Sequence, residues 1–500
     1  MFYWLEKLSR RQIYMSAIIL SLLLSVLSYI LFPNVGNDGV LYLRCAAAYE
    51  ESGLKAAMAL YHWPFYSITI AYIHQMGLSW VNAGHVLDAF LQAWMVYFFI
   101  RLIFHFEPKS HRVGFWALCC ILCYSTFNSD RSLLLRDFGY WAFYLNALWN
   151  LLRYLKTEKL HYLSLFGLCI LIAMLFRIEG VIIAVTAIVL VFFMPAQSFF
   201  MRIRNSFVMA WPFWLGALLF VVMGSHRLYD GGRLQEIYYN ISHLIHVLSQ
   251  NKIQTIQLMD KALYVPYPFI PTSKMYFSML TGYFLYKIVL TTGIGYTAFA
   301  VYAWLKKALY LSSREKVLLY GLMIVQVLML GIFLVNHLFL TVRYVLALSL
   351  LILLWMPFGL EHIYQKIMAL PSRKYHLGMA VVLITFFIFN LLYGFVHIGP
   401  SKQYLNEGTS WLKQHVAAKD RIAVNDNMML YNVKGPISTW SEDFRVFANP
   451  SDCQFSAYRY VVIKLRKKTN PLEKCTDLHL VQSYHNARGD RVNIYEVNNL

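Results

Sequence analysis

The chain has 500 residues; 59% are hydrophobic, 17% aromatic and only 14% charged. Water-soluble domains carry about 25% charged residues, so the composition excludes an ordinary soluble globular protein and indicates a polytopic membrane protein. The net charge of +19 does not indicate nucleic-acid binding, because the Lys and Arg residues stand in short clusters between apolar runs, as in cytoplasmic loops of membrane proteins.

The N-terminus, M-F-Y-W-L-E-K-L-S-R-R-Q, precedes an apolar run over 13–32 that is too long for a signal-peptide core, so an uncleaved first span is expected. The stretch N-D-G-V-L-Y-L-R-C-A-A-A-Y-E-E-S-G follows. Asp38 stands where the chain leaves the hydrocarbon, ahead of a helix expected from about Gly39 to Gly53 in the membrane interface. Two readings of Asp38 remain open: an N-cap for that helix, or a general base at the membrane surface.

Further apolar runs fall near 81–104, 113–127, 138–152, 160–176, 180–194, 206–223, 279–304, 317–335, 343–358 and 377–397, giving about eleven spans. The stretch W-P-F-Y-S-I-T-I-A-Y-I-H-Q-M-G reads either as one more span or as an interfacial helix. Basic clusters occupy alternate loops: R-L-I-F-H-F-E-P-K-S-H-R, R-Y-L-K-T-E-K, M-R-I-R-N, L-K-K-A-L-Y-L-S-S-R-E-K and Q-K-I-M-A-L-P-S-R-K. That alternation places the N-terminus in the cytoplasm and the C-terminus outside.

The opposite loops are 37–42, 128–137, 176–180, about 225–278 and 336–344, and they hold most of the charges abutting helix ends. Charge at membrane depth is costly and usually functional. Arg136 and Asp137 open one apolar run as an R-D pair, readable as a cap with a local ion pair. Arg177 and Glu179, in F-R-I-E-G, lie between two runs with almost no loop. Desolvation makes such a pair a poor device for stability alone. Arg343, in T-V-R-Y, starts a late span and suits either snorkelling or a bidentate grip on a phosphate.

In the long outer loop, His226, Arg227, Asp230 and Arg233 are further candidate contacts, and His243 and His246 stand at i,i+3 spacing without an acidic partner nearby. The C-C-x-x-C of Cys119, Cys120 and Cys123 lies inside an apolar run and reads as small packing residues. From about 400 onward the composition turns polar. An amphipathic helix (Y-L-N-E-G-T-S-W-L-K-Q-H-V) precedes four short strands, R-I-A-V, Y-R-Y-V-V-I-K-L, L-H-L-V-Q-S-Y and V-N-I-Y-E-V. The expectation is a transmembrane domain over 1–399 and a small extracytoplasmic α/β domain over 400–500, in which Cys453 and Cys475 either pair or stay free.

In order and sidedness, N-D-G-V-L-Y, Y-H-W-P-F-Y-S, L-R-D-F-G-Y-W-A-F, F-R-I-E-G and V-R-Y resemble the C-superfamily (GT-C) of integral-membrane glycosyltransferases. The likeness is to the bacterial branch with protein O-mannosyltransferases and the lipid A aminoarabinose transferase, and it covers roughly residues 10 to 360. It implies inverting sugar transfer from a polyprenyl-phosphate donor to a protein, lipid or glycan acceptor hydroxyl outside the cytoplasm, in a bacterial inner membrane. Asp38 would be the base, Asp137 the family's second acid, and Arg343, Arg136 and Arg177 the groups on the leaving phosphate. Glu179, Tyr42, Tyr61, His62, Trp63 and Tyr344 would support them; no cofactor is demanded, though a divalent metal is compatible. Two departures stand out: Gly39 follows Asp38 where the family often has a second acid, and V-L-A-L follows Arg343-Tyr344 where it often has proline. Rival readings are a transporter or glycolipid flippase, which would place charge at the bilayer midplane, and a non-catalytic envelope assembly protein.

Overall fold

The computed structural model describes residues 8–33, 35–194, 198–216, 253–254, 256–257, 272–396, 403–417, 419–435, 453, 455–466 and 470–498. In chain order the helices are α1 Arg10–Leu31, α2 Gly36–Leu60, α3 Phe65–His74, α4 Trp80–Phe106, α5 His111–Leu122, α6 Ser125–Ser129, α7 Asp137–Thr157, α8 His161–Phe176, α9 Gly180–Phe192 and α10 Phe199–Met209. They continue as α11 Thr272–Thr292, α12 Ile294–Leu305, α13 Ser313–His337, α14 Val342–Leu353, α15 Met356–Met368 and α16 Arg373–Phe395. The polar tail folds as α17 Gln403–His415, β1 Ile422–Val424, α18 Asn427–Lys434, β2 Tyr460–Arg466, β3 Leu478–His485 and β4 Asp490–Val497.

Contacts divide the chain into two units: residues 1–31, 88–131 and 136–396 in the first, and 32–87, 132–135 and 397–500 in the second. The second therefore gathers the segment after the first span together with the C-terminal residues.

Among the described residues, α1, α13 and α16 of the first unit and α4, whose residues from Asp88 on belong to it, are each long and apolar enough to cross a bilayer. Two further pairs qualify only if each is one bent span: α11 with α12, bent by 96°, and α14 with α15, bent by 41°. Among the described residues the count of about eleven spans is not confirmed, and several of the apolar runs are divided. The run at 113–127 splits into α5 and the five-residue α6. Helices α8 and α9 have 16 and 13 residues, fewer than the roughly 20 that a straight crossing takes. The run at 206–223 leaves the described residues after 216.

The break between α11 and α12 falls at Gly293, whose φ of 89° L side chains rarely adopt. An interrupted helix strands backbone carbonyls, which the bilayer core does not tolerate unsatisfied. Here the Tyr124 hydroxyl and Thr126 Oγ1 donate to the Thr291 carbonyl at 2.6 and 2.7 Å, and the Thr292 and Ser349 hydroxyls meet at 2.9 Å.

Polar contacts sort the first unit into two ends. At one end His105 Nε2 lies 2.8 Å from Glu315 Oε1, Arg112 and Trp116 donate to Glu361, Arg314 donates to Glu158, and Arg10 to the Pro108 carbonyl. These residues come from or adjoin the loops that the charge bias groups together. Asp137, Arg177, Glu179 and Tyr344 gather elsewhere in the unit, with residues of the alternate loops.

In the second unit, α2 turns at Gly53 (φ 77°, ψ −168°), so the helix continues past the expected end as a short exposed segment to Leu60. All four expected strands form one sheet in the order β1-β2-β4-β3, with β1 parallel to β2 and the other pairs antiparallel. One face packs Leu412, Met429 and Leu430 against Ile422, Val462, Val492 and Ile494. The other packs Phe455, Tyr458, Leu472 and Cys475 against Val461, Ile463 and Tyr495. Cys453 and Cys475 form a disulfide, which resolves the pairing that the sequence left open.

Candidate functional site

The charges of the first unit converge where three chain segments meet. Asp137 is the first residue of α7 and is buried, with Arg136 at the N-cap position. Its carboxylate therefore faces the partial positive charge of the helix N-terminus. Arg177 follows the last residue of α8 in extended conformation (φ −144°, ψ 125°), and Glu179 caps α9. Gly180 makes this tight reversal possible: a Cβ there would stand 3.1 Å from the Met174 backbone nitrogen, so F-R-I-E-G needs its glycine.

Arg177 Nη1 donates to Asp137 Oδ1, Nη2 to Glu179 Oε1, and Nε to Glu179 Oε2 at 3.3 Å. All three nitrogens of the guanidinium thus serve carboxylates, the pairing its planar fork suits. Tyr344 and Tyr140 place their rings 5.1 and 5.9 Å from the guanidinium carbon. Burial alone would raise the Glu179 carboxyl, yet Arg177 and then Arg136 hold it down at about 2. Glu179 is therefore ionised at any physiological pH.

Asp130, absent from the expected site residues, belongs to the same constellation. It follows α6, and burial pushes its carboxyl up to about 7, against the pull of Arg343 and with repulsion from Asp137. The sequence signal was thin: Asp130 is one acid in a polar loop, without a partner at helical spacing. Tyr140 was more legible, since it stands one turn after Asp137 on the same helix.

The segment carrying Asp130 is held from below by Arg131, which is fully buried. Arg131 Nε donates to Asn128 Oδ1 at 2.7 Å, and Nη1 reaches Ser21 Oγ, Ser25 Oγ and Gln92 Oε1 at 3.2, 3.0 and 3.2 Å. Gln92 Nε2 in turn donates to the Arg131 carbonyl at 3.1 Å. The guanidinium also lies 4.4 Å from the Phe127 ring centroid.

The remaining expected residues lie in the second unit. Asp38 is half-buried in the first turn of α2, which begins at Gly36 with Val35 as N-cap and no side-chain cap. The capping reading of Asp38 is thereby corrected: the helix starts three residues earlier than expected, and the carboxylate sits inside the first turn. Tyr42 is buried with its ring 5.7 Å from that of Tyr61 and 5.1 Å from that of Tyr66. Trp63 is half-buried and His62 exposed. Of the expected residues, the structure thus brings Arg136, Asp137, Arg177, Glu179, Arg343 and Tyr344 together in one unit, and Asp38, Tyr42, Tyr61, His62 and Trp63 fall in the other.

Residues 226–246, with the four histidine-loop candidates and the His243–His246 pair, lie outside the described residues. Among the described residues no three His, Cys, Asp or Glu side chains gather as a metal-holding group. Cys119, Cys120 and Cys123 are free thiols, Cys120 buried and the other two half-buried.

No family model and no curated protein sequence matches the chain. Among solved structures it is similar to the archaeal oligosaccharyltransferase AglB from Archaeoglobus fulgidus, determined with an inhibitory peptide and a dolichol-phosphate. The identity is 12%, the match covers 90% of this chain and 69% of that one, and the TM-score is 0.45. At that level the two chains share too little for the ligands of one to be read onto the other.

Proposed function

We propose that the chain transfers a sugar from a polyprenyl-phosphate-linked donor to an acceptor hydroxyl at the outer face of a bacterial inner membrane, with inversion. The observation that carries the reading is the buried Asp137–Arg177–Glu179 cluster, with Arg136, Arg343 and Asp130 in electrostatic reach, in a unit of membrane-crossing helices. Three arginines against Asp137 and Glu179 make a region suited to an anion, and burial raises a third acid beside them, Asp130, to about 7.

A lipid-linked phosphate is already a competent leaving group, so the protein has to orient the acceptor and stabilise charge on the departing oxygen. Arg343 and Arg136 take the phosphate in this reading. Arg177, whose nitrogens serve Asp137 and Glu179, acts by holding those acids in place rather than by touching the phosphate itself. Asp38 accepts the proton of the acceptor hydroxyl as the new glycosidic bond forms, a role assigned from the sequence resemblance. Tyr42, Tyr61 and Trp63 supply aromatic faces for the sugar or lipid. Neither step is routed through a metal ion.

The orientation rests on two supports. The alternation of basic loops puts the N-terminus in the cytoplasm, and the Cys453–Cys475 disulfide suits an oxidising compartment for the C-terminal residues. The test is transfer from radiolabelled polyprenyl-phosphate sugars in inverted and right-side-out membrane vesicles, comparing wild type with Asp38→Asn and Arg343→Ala. Loss of transfer in Asp38→Asn, and a raised donor KM in Arg343→Ala, are expected. Normal turnover in Asp38→Asn would remove the base assignment, and no labelled product with any donor would remove the transferase reading.

A further inference from the structure

The second unit carries an open cleft of about 340 Å³ between α17 and β3, an edge strand of the sheet. Its volume falls within the roughly 300–1,000 Å³ of small-molecule sites. Asn406, Glu407, Ser410, Trp411 and Gln414 line it from one stripe of α17, and Tyr484 lines it from β3. A helix laid against a sheet ordinarily leaves such a stripe to charged, solvated side chains. Here the lining is two amides, a hydroxyl, two aromatic rings and a single carboxylate.

The cleft is preorganised. Trp411 stacks on His415 at 4.0 Å with an interplanar angle of 9°, and meets Tyr460 edge-on at 5.6 Å, so its orientation is fixed before any ligand arrives. Glu407 Oε1 accepts from Gln403 Nε2 at 2.9 Å, which aims the carboxylate. Gly408 lets α17 approach the sheet: a Cβ there would lie 3.3 Å from Val492 Cγ1 and 3.6 Å from Tyr484. Asn406, Ser410 and Gln414 are exposed, and their side chains make no hydrogen bond among the described residues.

Fixed aromatic surface beside unspent amide and hydroxyl groups matches one ligand chemistry well. A sugar ring offers a C–H face to an aromatic ring and a rim of hydroxyls that both donate and accept, as amide side chains do. The lining has no Lys or Arg and one acid, which disfavours phosphorylated or carboxylated sugars although the chain as a whole is strongly basic. We propose that this cleft is a binding subsite for a neutral saccharide. Its role as the seat of an acceptor glycan rests on the transferase reading above; the saccharide binding itself does not.

The experiment is saturation-transfer NMR and competition titration on the full chain in detergent, with mannopentaose, chitopentaose and cellopentaose as probes and an uncharged Ala/Ser/Thr peptide as control. At least one pentasaccharide should bind. Asn406→Ala with Gln414→Ala, both on exposed side chains that leave the fold untouched, should weaken it about tenfold or more. Trp411→Ala should abolish it, with circular dichroism reporting whether the fold survives. Arg343→Ala should keep full saccharide binding while its use of the lipid-linked donor falls, which separates this proposal from the transferase reading. Binding by none of the three pentasaccharides, affinity unchanged in the double variant, or preference for the peptide would each overturn it.

Discussion

Arg177, which follows α8, donates through Nη1 to Asp137 at the start of α7, 40 residues earlier, and both side chains are almost entirely buried. Two helices are thus joined at one end by an ion pair withdrawn from water. Such a pair adds little net stability, because desolvation offsets much of the attraction, but breaking it from one side is costly.

Asp137→Asn should accordingly destabilise the protein by about 3 kcal/mol or more, since it leaves the guanidinium short of a carboxylate in a buried setting. The triple variant Asp137→Asn with Arg177→Met and Glu179→Gln should recover much of that loss, because the guanidinium is removed together with both carboxylates it serves. Thermal unfolding in detergent reads the stability, and sugar transfer reads the site. Recovery of transfer along with stability in the triple variant would show the cluster to be structural only.

The sign of the Asp130 effect follows from its raised carboxyl. With a folded value of about 7 against an ordinary 3.8, the native state binds more protons than the unfolded chain between those two values. Stability from this group is therefore full below about pH 4 and declines as pH rises towards 7, levelling off above it. Asp130→Asn should flatten the melting temperature over that window and leave the variant relatively more stable at pH 8. Parallel pH profiles for variant and wild type would dismiss the perturbed carboxyl.

Arg131 makes hydrogen bonds with residues of α1 and α4 and with Asn128, and its fork geometry is what lets it reach all of them. Arg131→Lys keeps the charge but not the fork, so it should lose about 2 kcal/mol, with Ser21 and Ser25 left to satisfy one another. Arg131→Ala should lose more. Expression level in membranes and thermal unfolding check both, and a lysine variant as stable as wild type would mean that charge alone is what matters there.

A methyl group at Gly180 would crowd Met174, meeting its side-chain Cγ at 3.0 Å and its backbone nitrogen and Cα at 3.1 and 3.2 Å, and the backbone atoms cannot swing aside as a side chain can. Gly180→Ala should cost about 1–3 kcal/mol and displace Arg177 and Glu179. Transfer activity should fall further than the melting temperature does. Equal stability and activity would show that the turn relaxes freely.

How much was readable before folding divides along a physical line. Apolar runs, the period-2 strands and the amphipathic α17 are local patterns, each carried by residues within about 20 positions of one another, and all four strands and α17 form where those patterns lie. The F-R-I-E-G motif likewise marked Arg177 and Glu179 as neighbours, and two residues is all that separates them. What the pattern could not carry is where runs break and which distant groups meet. Gly293 interrupts an apolar stretch only because Tyr124, Thr126 and Ser349, far away in sequence, satisfy the backbone and side-chain groups beside the break. Asp38 turned out to lie inside a helix that starts earlier than its apolar pattern does. Asp130 acquires its character from burial beside Arg343, more than 200 residues on, and the Cys453–Cys475 bond depends on a sheet that brings the two sulfurs together. Hydropathy is summed along the chain, whereas desolvation and hydrogen bonding act between whichever groups the packed chain brings within a few ångströms.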